Sequence, residues 1–347
     1  MPNEKKTKNF FSLQVDPELF QPATEEEKAQ QIVQRESVSF MKDAMRRLRR
    51  NKLAMLSLCM IVLIALIAFI VPEFYPYSYT KQDVSAKNMQ PFQYSKKEQA
   101  RIDKGETVFP HIIGTDTLGR DYAIRVIYGT RISLMVGFLA AVIVVVIGII
   151  YGAISGYFGG KVDLIMMRIV DIIYSLPDVL IVILLSVAIK DWVQTSNNAL
   201  ISKLGAGMVS IFIVFGLLYW VGMARQVRGQ VLSIKEQEYV MASRAIGASS
   251  ARIIRKHMIP NCISVIIITA ALQIPSAIFT ESFLSFLGLG VAIPMPSLGS
   301  LASDARSSLR SYPYQLIFPA LSIFLIVLSF NLLGNGLRDA FDPKLKS

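Results

Sequence analysis

The chain is poor in the residues on which most metal, redox and hydrolytic chemistry rests. Its 347 residues include two cysteines and two histidines. Cys59 falls inside an apolar run and Cys262 opens another, which argues against a disulfide; the expectation is that both are small buried residues. His111 and His257 stand far apart, with no metal-ligand spacing and no Ser-His-Asp constellation around them. No G-x-x-x-x-G-K-[ST] run occurs, so the chain has no phosphate cradle of that kind. The expectation is a non-enzyme with no catalytic residue, no metal and no cofactor bound by this chain. Acidic residues are also scarce, 25 against 36 Lys and Arg, for a net charge of +11. That excess reads as the basic loops of a membrane protein and excludes nucleic acid as a partner.

What the chain has in abundance is long apolar sequence. It is 53% hydrophobic, with a mean hydropathy of +0.47. Six runs, at 53–71, 133–155, 170–189, 206–222, 262–282 and 315–334, each approach the ~20 residues that a helix needs to cross a bilayer. The fold class is therefore an all-α integral membrane protein with six transmembrane helices and membrane lipid around it. The first run is read as a retained anchor, because it begins some fifty residues in and lacks a small-residue cleavage site before Pro72.

Charge orients the spans. Lys42, Arg46, Arg47, Arg49, Arg50 and Lys52 precede the first run against a single acid, Asp43. A second basic block, from Arg225 to Lys256, falls on the same side after four crossings. Both blocks belong in the cytosol. The expected layout is a polar cytosolic tail over 1–40, a basic block and anchor over 41–72, an extracytoplasmic segment over 73–132, a five-span core over 133–334 and a cytosolic tail over 335–347. Thr115 and Asp116 are candidate caps for a short surface-lying helix within 111–132. Asp171 is expected to pair with Arg168, three residues before it on one helix face.

One stretch is out of keeping with its oily surroundings: EYVMASRAIGASSARIIRKHMIPN, Glu238–Asn261. Nothing breaks a helix from Lys235 to Ala245. Gly247 offers a left-handed cap, Ser249 or Ser250 can start a second helix, and Pro260 is expected to end it. The residues alone leave two readings open, an interfacial hairpin that anchors the loop or a docking surface for a partner.

The spacing of Met241-Ala242-Ser243, Gly247 and His257-Met258-Ile259-Pro260 resembles the EAA loop of ABC importer permeases, departing at Met241, where the family often has Glu. GTDTLGRD (114–121), YGTRISL (128–134), ESFLSFLGLG (281–290) and FNLLGNGLRDAFDP (330–343) are similar to the C-type permease subunit of oligopeptide and dipeptide importers. The resemblance covers 42–71 and 111–347. It implies a type I importer permease fold in a bacterial cell membrane. The implied partners are a homologous B-type permease, two cytosolic ATPase subunits carrying ATP and Mg, and an extracytoplasmic peptide-binding protein that delivers peptide. Loop 235–261, with Met241, Ala242, Ser243, Gly247, His257, Ile259 and Pro260, would be the coupling hairpin seated on an ATPase.

Polar or helix-breaking residues inside spans are the candidates for the path or its gate. These are Pro177 and Asp178 in the third run, and Gln273, Pro275 and Glu281 in the fifth. Each also has a plain structural reading, as a kink, an interhelical hydrogen bond or a packed carboxyl. Gly288 and Gly290 are expected to close the fifth span in a tight loop. Within the same family the cargo is alternatively a dipeptide, nickel or another small solute. A secondary transporter without ATPases is the reading from another class, and the EAA spacing counts against it.

Overall fold

The computed structural model describes residues 40–195, 205–291 and 295–341. The chain divides into two units, Met1–Asp43 and Ala44–Ser347. Of the first, only the opening residues of helix α1 (Phe40–Arg50) are described. Among the described residues the second unit is helical, with one isolated bridge between Thr115 and Asp121.

Four of the six expected spans are single unbroken helices that outrun their apolar cores. They are α2 (Lys52–Phe74), α4 (Tyr122–Phe158), α11 (Ile263–Phe286) and α13 (Tyr314–Phe341). A fifth, Ala206–Ile234, runs through α7 (Ala206–Val214), a π turn at Phe215–Tyr219 and α8 (Val221–Ile234). The run at 170–189 departs from expectation. It is not one helix but parts of two, α5 (Gly160–Ser175) and α6 (Asp178–Gln194), which meet at 93°. Pro177 is the reason. Its ring disfavours the helical conformation at Leu176, which is extended at φ −81°, ψ 142°.

Helix α4 carries the packing. Its 37 residues extend roughly 55 Å at 1.5 Å per residue, well beyond a bilayer core. The expected surface-lying helix within 111–132 does not form. Asp121, not Thr115 or Asp116, is the N-cap, accepting from Ile124 N at 2.9 Å, and no breaker follows, so the span-two helix starts at Tyr122. Against α8, α4 presents glycine at every fourth position. A Cβ at Gly148 would lie 2.5 Å from Met223 Cβ, at Gly152 2.4 Å from the Ala224 carbonyl, and at Gly156 2.9 Å from Val231 Cβ. The backbones therefore touch, in the small-residue packing that membrane helices use. Met223, Ala224, Val227 and Val231 are at most 1% exposed along this seam.

Between α2 and α4 lies a hydrogen-bonded module containing α3 (Lys96–Ile102). The GTDTLGRD run is its frame. Thr115 accepts from Met89 N at 2.8 Å and donates to the Ala86 carbonyl. Asp116 accepts from Leu118 N and Arg120 N, and its second oxygen takes Arg120 Nε at 2.7 Å and Arg125 Nη1 at 2.5 Å. Gly119 sits at φ +71°, and a Cβ there would fall 1.7 Å from the Asp83 carbonyl, so only glycine fits. Tyr314 and Gln315, opening α13, bond to the Met89 and Thr115 carbonyls and fasten the module to the spans.

His111 is the module's keystone. It is 3% exposed and stacks on Tyr77 with ring centroids 4.4 Å apart. Nδ1 faces Asp121 Oδ2 at 2.7 Å and Nε2 faces Glu98 Oε1 at 3.1 Å. Two carboxylates can both be satisfied only by a ring carrying both protons. Burial pulls the imidazole pKa down, but the bonds and charges of Asp121 and Glu98 outweigh it, and the net shift is upward. A raised folded pKa stabilises the folded state in full below the ordinary value of about 6.5, and that stability is lost as pH rises through the folded value. The purified chain and its His111→Gln variant should therefore differ most in thermal midpoint below the ordinary imidazole value of about 6.5 and converge as pH rises through the raised folded-state value. A gap that is constant with pH would mean that the ring is neutral throughout.

Candidate functional site

Two features are candidates for a functional role. The first is a cavity of about 490 Å³ at the elbow of the bent pair. Pro177 lines it, with Tyr174 and Ile181 from α5 and α6 and with Leu218, Tyr219 and Gly222 from the other wall. The π turn at Phe215–Tyr219 brings Leu218 and Tyr219 to that wall, and such turns recur at functional sites. Asp178 is the first residue of α6, immediately after Pro177, and its side chain lies outside the described residues.

Ion pairs tie α5 to α8 beside this elbow. Arg228 binds both oxygens of Asp163 at 2.5 Å, and Ser155 donates to the same carboxylate. Asp171 pairs with Arg225 on α8 at 2.8 Å, not with Arg168 as its spacing suggested. The guanidinium of Arg225 can stack on Tyr174, 4.3 Å from the ring centroid, while reaching Asp171, which a same-helix pair does not allow.

The fifth-span candidates do not join this cavity. Gln273 is half-buried and Pro275 buried within an unbroken α11. Glu281 is fully buried, where Ser133 of α4 reaches it at 2.9 Å, Ser285 at 2.7 Å and Ser282 at 3.3 Å. Ser133 and Ser285 also accept from Leu298 N and Val291 N. The carboxyl thus ties α4, α11 and the loop into α12 (Leu298–Asp304). The tight loop expected at Gly288 is present. Leu289 N bonds to the Leu284 carbonyl and Gly288 N to that of Ser285, a Schellman ending.

The second feature is the hairpin. Helix α9 (Glu238–Ala245) begins after a turn at Lys235–Gln237, three residues later than expected. Gly247, at φ +85°, ends it in a Schellman motif, Ala248 N to the Ser243 carbonyl and Gly247 N to that of Arg244. Ser249 occupies the N-cap of α10 (Ser250–Ile253) without a side-chain bond. Pro260 does not end the segment. A π turn at Ile254–Met258 precedes it, and Pro260 falls in the first turn of Ile259–Asn261, where a missing N–H is tolerated. Val240, Ile253 and Met258 are fully buried and anchor the hairpin to the core. Tyr239, Met241 and Ile246 are 41%, 54% and 86% exposed on it. Ala242 is exposed, Ser243 and Ile259 are half-buried, and Ser243 donates back to the Tyr239 carbonyl. His257 is half-buried, its ring 6.1 Å from that of Tyr239, and Asn261 donates to the His257 carbonyl and to the Tyr239 hydroxyl.

Sequence reading missed the cavity wall, the glycine seam and the Glu281 cage. Only the seam had a plain signal, glycine at 148, 152 and 156. Among the described residues no group of His, Cys, Asp and Glu is arranged to hold a metal ion.

Residues 148–347 match the family described as binding-protein-dependent transport system inner membrane component, and residues 39–91 match the N-terminal TM domain of oligopeptide transport permease C. The second match carries the likeness into 73–91, beyond the stretches that the motifs covered. The oligopeptide transport system permease protein of Bacillus subtilis (strain 168) is 43% identical over 94% of this chain and 97% of its own length. The dipeptide transport system permease protein of the same strain is 43% identical over 96% and 95%. The oligopeptide permease of Escherichia coli (strain K12) is 39% identical over 89% and 93%. A solved chain of an amino acid ABC transporter superposes with a TM-score of 0.44 at 17% identity, over 63% of this chain and 94% of that one. By its matched domains and these full-length relatives, the chain belongs to the binding-protein-dependent transport system inner membrane components and is a multi-pass permease of an ABC importer.

Proposed function

We propose that this permease forms half of a path for oligopeptides, paired with a homologous B-type permease. Peptide arrives from an extracytoplasmic binding protein, and transport is driven by two cytosolic ATPases. The observation that carries the reading is the hairpin. Its three large apolar side chains, Tyr239, Met241 and Ile246, stand exposed on a segment whose opposite side is fully buried. Exposed apolar anchors on a rigid, polar-rimmed element suit a protein groove better than water. The cavity beside Pro177 supplies a wall of tyrosine, aliphatic side chains and backbone, which suits a cargo whose backbone is constant while its side chains vary. A dipeptide cargo is the second reading, favoured by the equal identity of the dipeptide relative. Identifying what the binding protein of the intact complex carries separates the two.

On the positive-inside rule both basic blocks favour a cytosolic side for the termini and the hairpin, which sets the His111 module on the opposite side. In a background with Cys59→Ala and Cys262→Ala, a membrane-impermeant thiol reagent should label Lys104→Cys in intact cells and reach Ala251→Cys only after lysis. The reverse pattern would invert the topology.

Gly247 sets the angle between α9 and α10. A Cβ there meets nothing within 4 Å, so the penalty for a side chain is conformational alone, about 1–2 kcal/mol for a left-handed residue. Gly247→Ala should lower peptide-stimulated ATP turnover mildly. Gly247→Val, with a β-branched side chain at positive φ, should lower it several-fold and weaken ATPase co-purification, with membrane insertion unchanged. Wild-type turnover and co-purification in Gly247→Val would leave the hairpin as a surface anchor only.

Gly222 opens onto the cavity with free space at its Cβ position. Gly222→Phe should fill the cavity and cut peptide uptake several-fold while the complex still assembles. Unchanged uptake would move the path elsewhere.

A further inference from the structure

Helix α1 and span α2 are separated by one residue. Asn51 has an extended backbone at φ −78°, ψ 101° and accepts from Ala54 N at 3.2 Å, which stops one helix and starts the next. One side of this junction is packed. Leu48 is 6% exposed and clusters with Ala54, Leu337 and Ala340, which fastens the end of α1 to α13. The other side is open. Arg46, Arg49, Arg50 and Lys52 are exposed and have no acidic partner among the described residues. Met45, Leu53 and Leu56 stand beside them at 47%, 62% and 65% exposure.

At the opposite end of α2 and α4 exposed lysines such as Lys87 and Lys96 also lack an acidic partner among the described residues, but four arginines differ. Arg101, Arg120, Arg125 and Arg131 each face a carboxylate within the chain. Helix electrostatics accounts for part of the unpaired block, since Arg49 and Arg50 close the last turn of α1, where a cation is favoured. It does not account for Lys52. That residue opens α2, where the helix dipole disfavours a cation. A cation held against the local field, among three unpaired arginines and over exposed apolar side chains, calls for an anion from outside the chain.

The geometry points to an anionic phospholipid seat at the α1–α2 junction. Helix α2 crosses the bilayer, so the junction at its end lies at headgroup depth. Arg46, Arg49, Arg50 and Lys52 take the lipid phosphates, and Met45, Leu53 and Leu56 sit in the acyl boundary beneath them. Each Lys or Arg held at an anionic surface is worth roughly five-fold in binding. The seat depends on α2 spanning the membrane and is independent of the cargo, so it stands or falls separately from the peptide reading.

The test uses the full-length chain in phosphatidylcholine bilayers carrying a trace of spin-labelled phosphatidylglycerol or spin-labelled phosphatidylcholine. The fraction of each label immobilised by the protein is read by electron paramagnetic resonance. Wild type should hold phosphatidylglycerol several-fold in preference. The triple variant Arg46→Gln/Arg49→Gln/Arg50→Gln should lose most of that preference, Lys52→Gln part of it, and the charge-keeping Arg→Lys triple little. Four results would overturn the seat: preference retained in the Gln triple, equal loss in the Lys triple, displacement by soluble glycerol phosphate at millimolar concentration, or no preference in wild type. The last would mean that another anion, such as the Glu25–Glu27 run of the same chain, already covers the block.

Discussion

The close approach of α4 to α8 is the constraint on which the rest of the molecule depends. Within a bilayer, hydrophobicity does not drive helices together, because lipid tails are as apolar as leucine. Association must come from contact, and contact at backbone distance needs residues without side chains. Gly148, Gly152 and Gly156 provide it over two turns, and Ser155 on the same helix reaches Asp163. With α8 held there, Arg228 and Arg225 are placed to pair with Asp163 and Asp171. Those pairs hold α5 against α8, and the elbow at the end of α5 lines the cavity. A side chain at Gly152 would force the whole series apart, since its nearest obstacle is the backbone carbonyl of Ala224, which cannot rotate away.

The same long helix links the two ends of the molecule. At its start Asp121 does two things with two oxygens, capping Ile124 N and binding His111. Further along, Ser133 binds Glu281 and Gly137 meets Ile278, joining it to α11. Toward its far end Gly156 packs on Val231, three residues before α8 gives way to the turn that enters the hairpin. A helix longer than the bilayer core thus has the His111 module at one end and the hairpin's root near the other.

The two π turns mark where regular helix yields to local packing. One supplies Leu218 and Tyr219 to the cavity wall. The other widens the chain just before Pro260, so that a residue expected to stop a helix is carried inside one. Both are local answers to a packing demand, and neither leaves a mark in the apolar pattern of the sequence.

Much of the architecture was legible from the residues alone. Apolar runs of bilayer length gave the spans, basic blocks gave their expected orientation, and Gly247 with its neighbours gave the bend of the hairpin, because only glycine takes φ +85° without penalty. These are local properties, set by one helix or one residue, and a sequence carries them openly. What only the tertiary structure decided is where helices bend and which charges meet. The elbow at Pro177 turns one expected span into two helices at 93°. Asp171 finds Arg225 rather than Arg168, and Glu281 is held by hydroxyls on two helices and not at the cavity. His111 joins Glu98 and Asp121, thirteen residues before it and ten after it. Each of these rests on the distance between groups that local pattern does not relate. Sequence period records which face of a helix is apolar, but not which neighbour that face will meet.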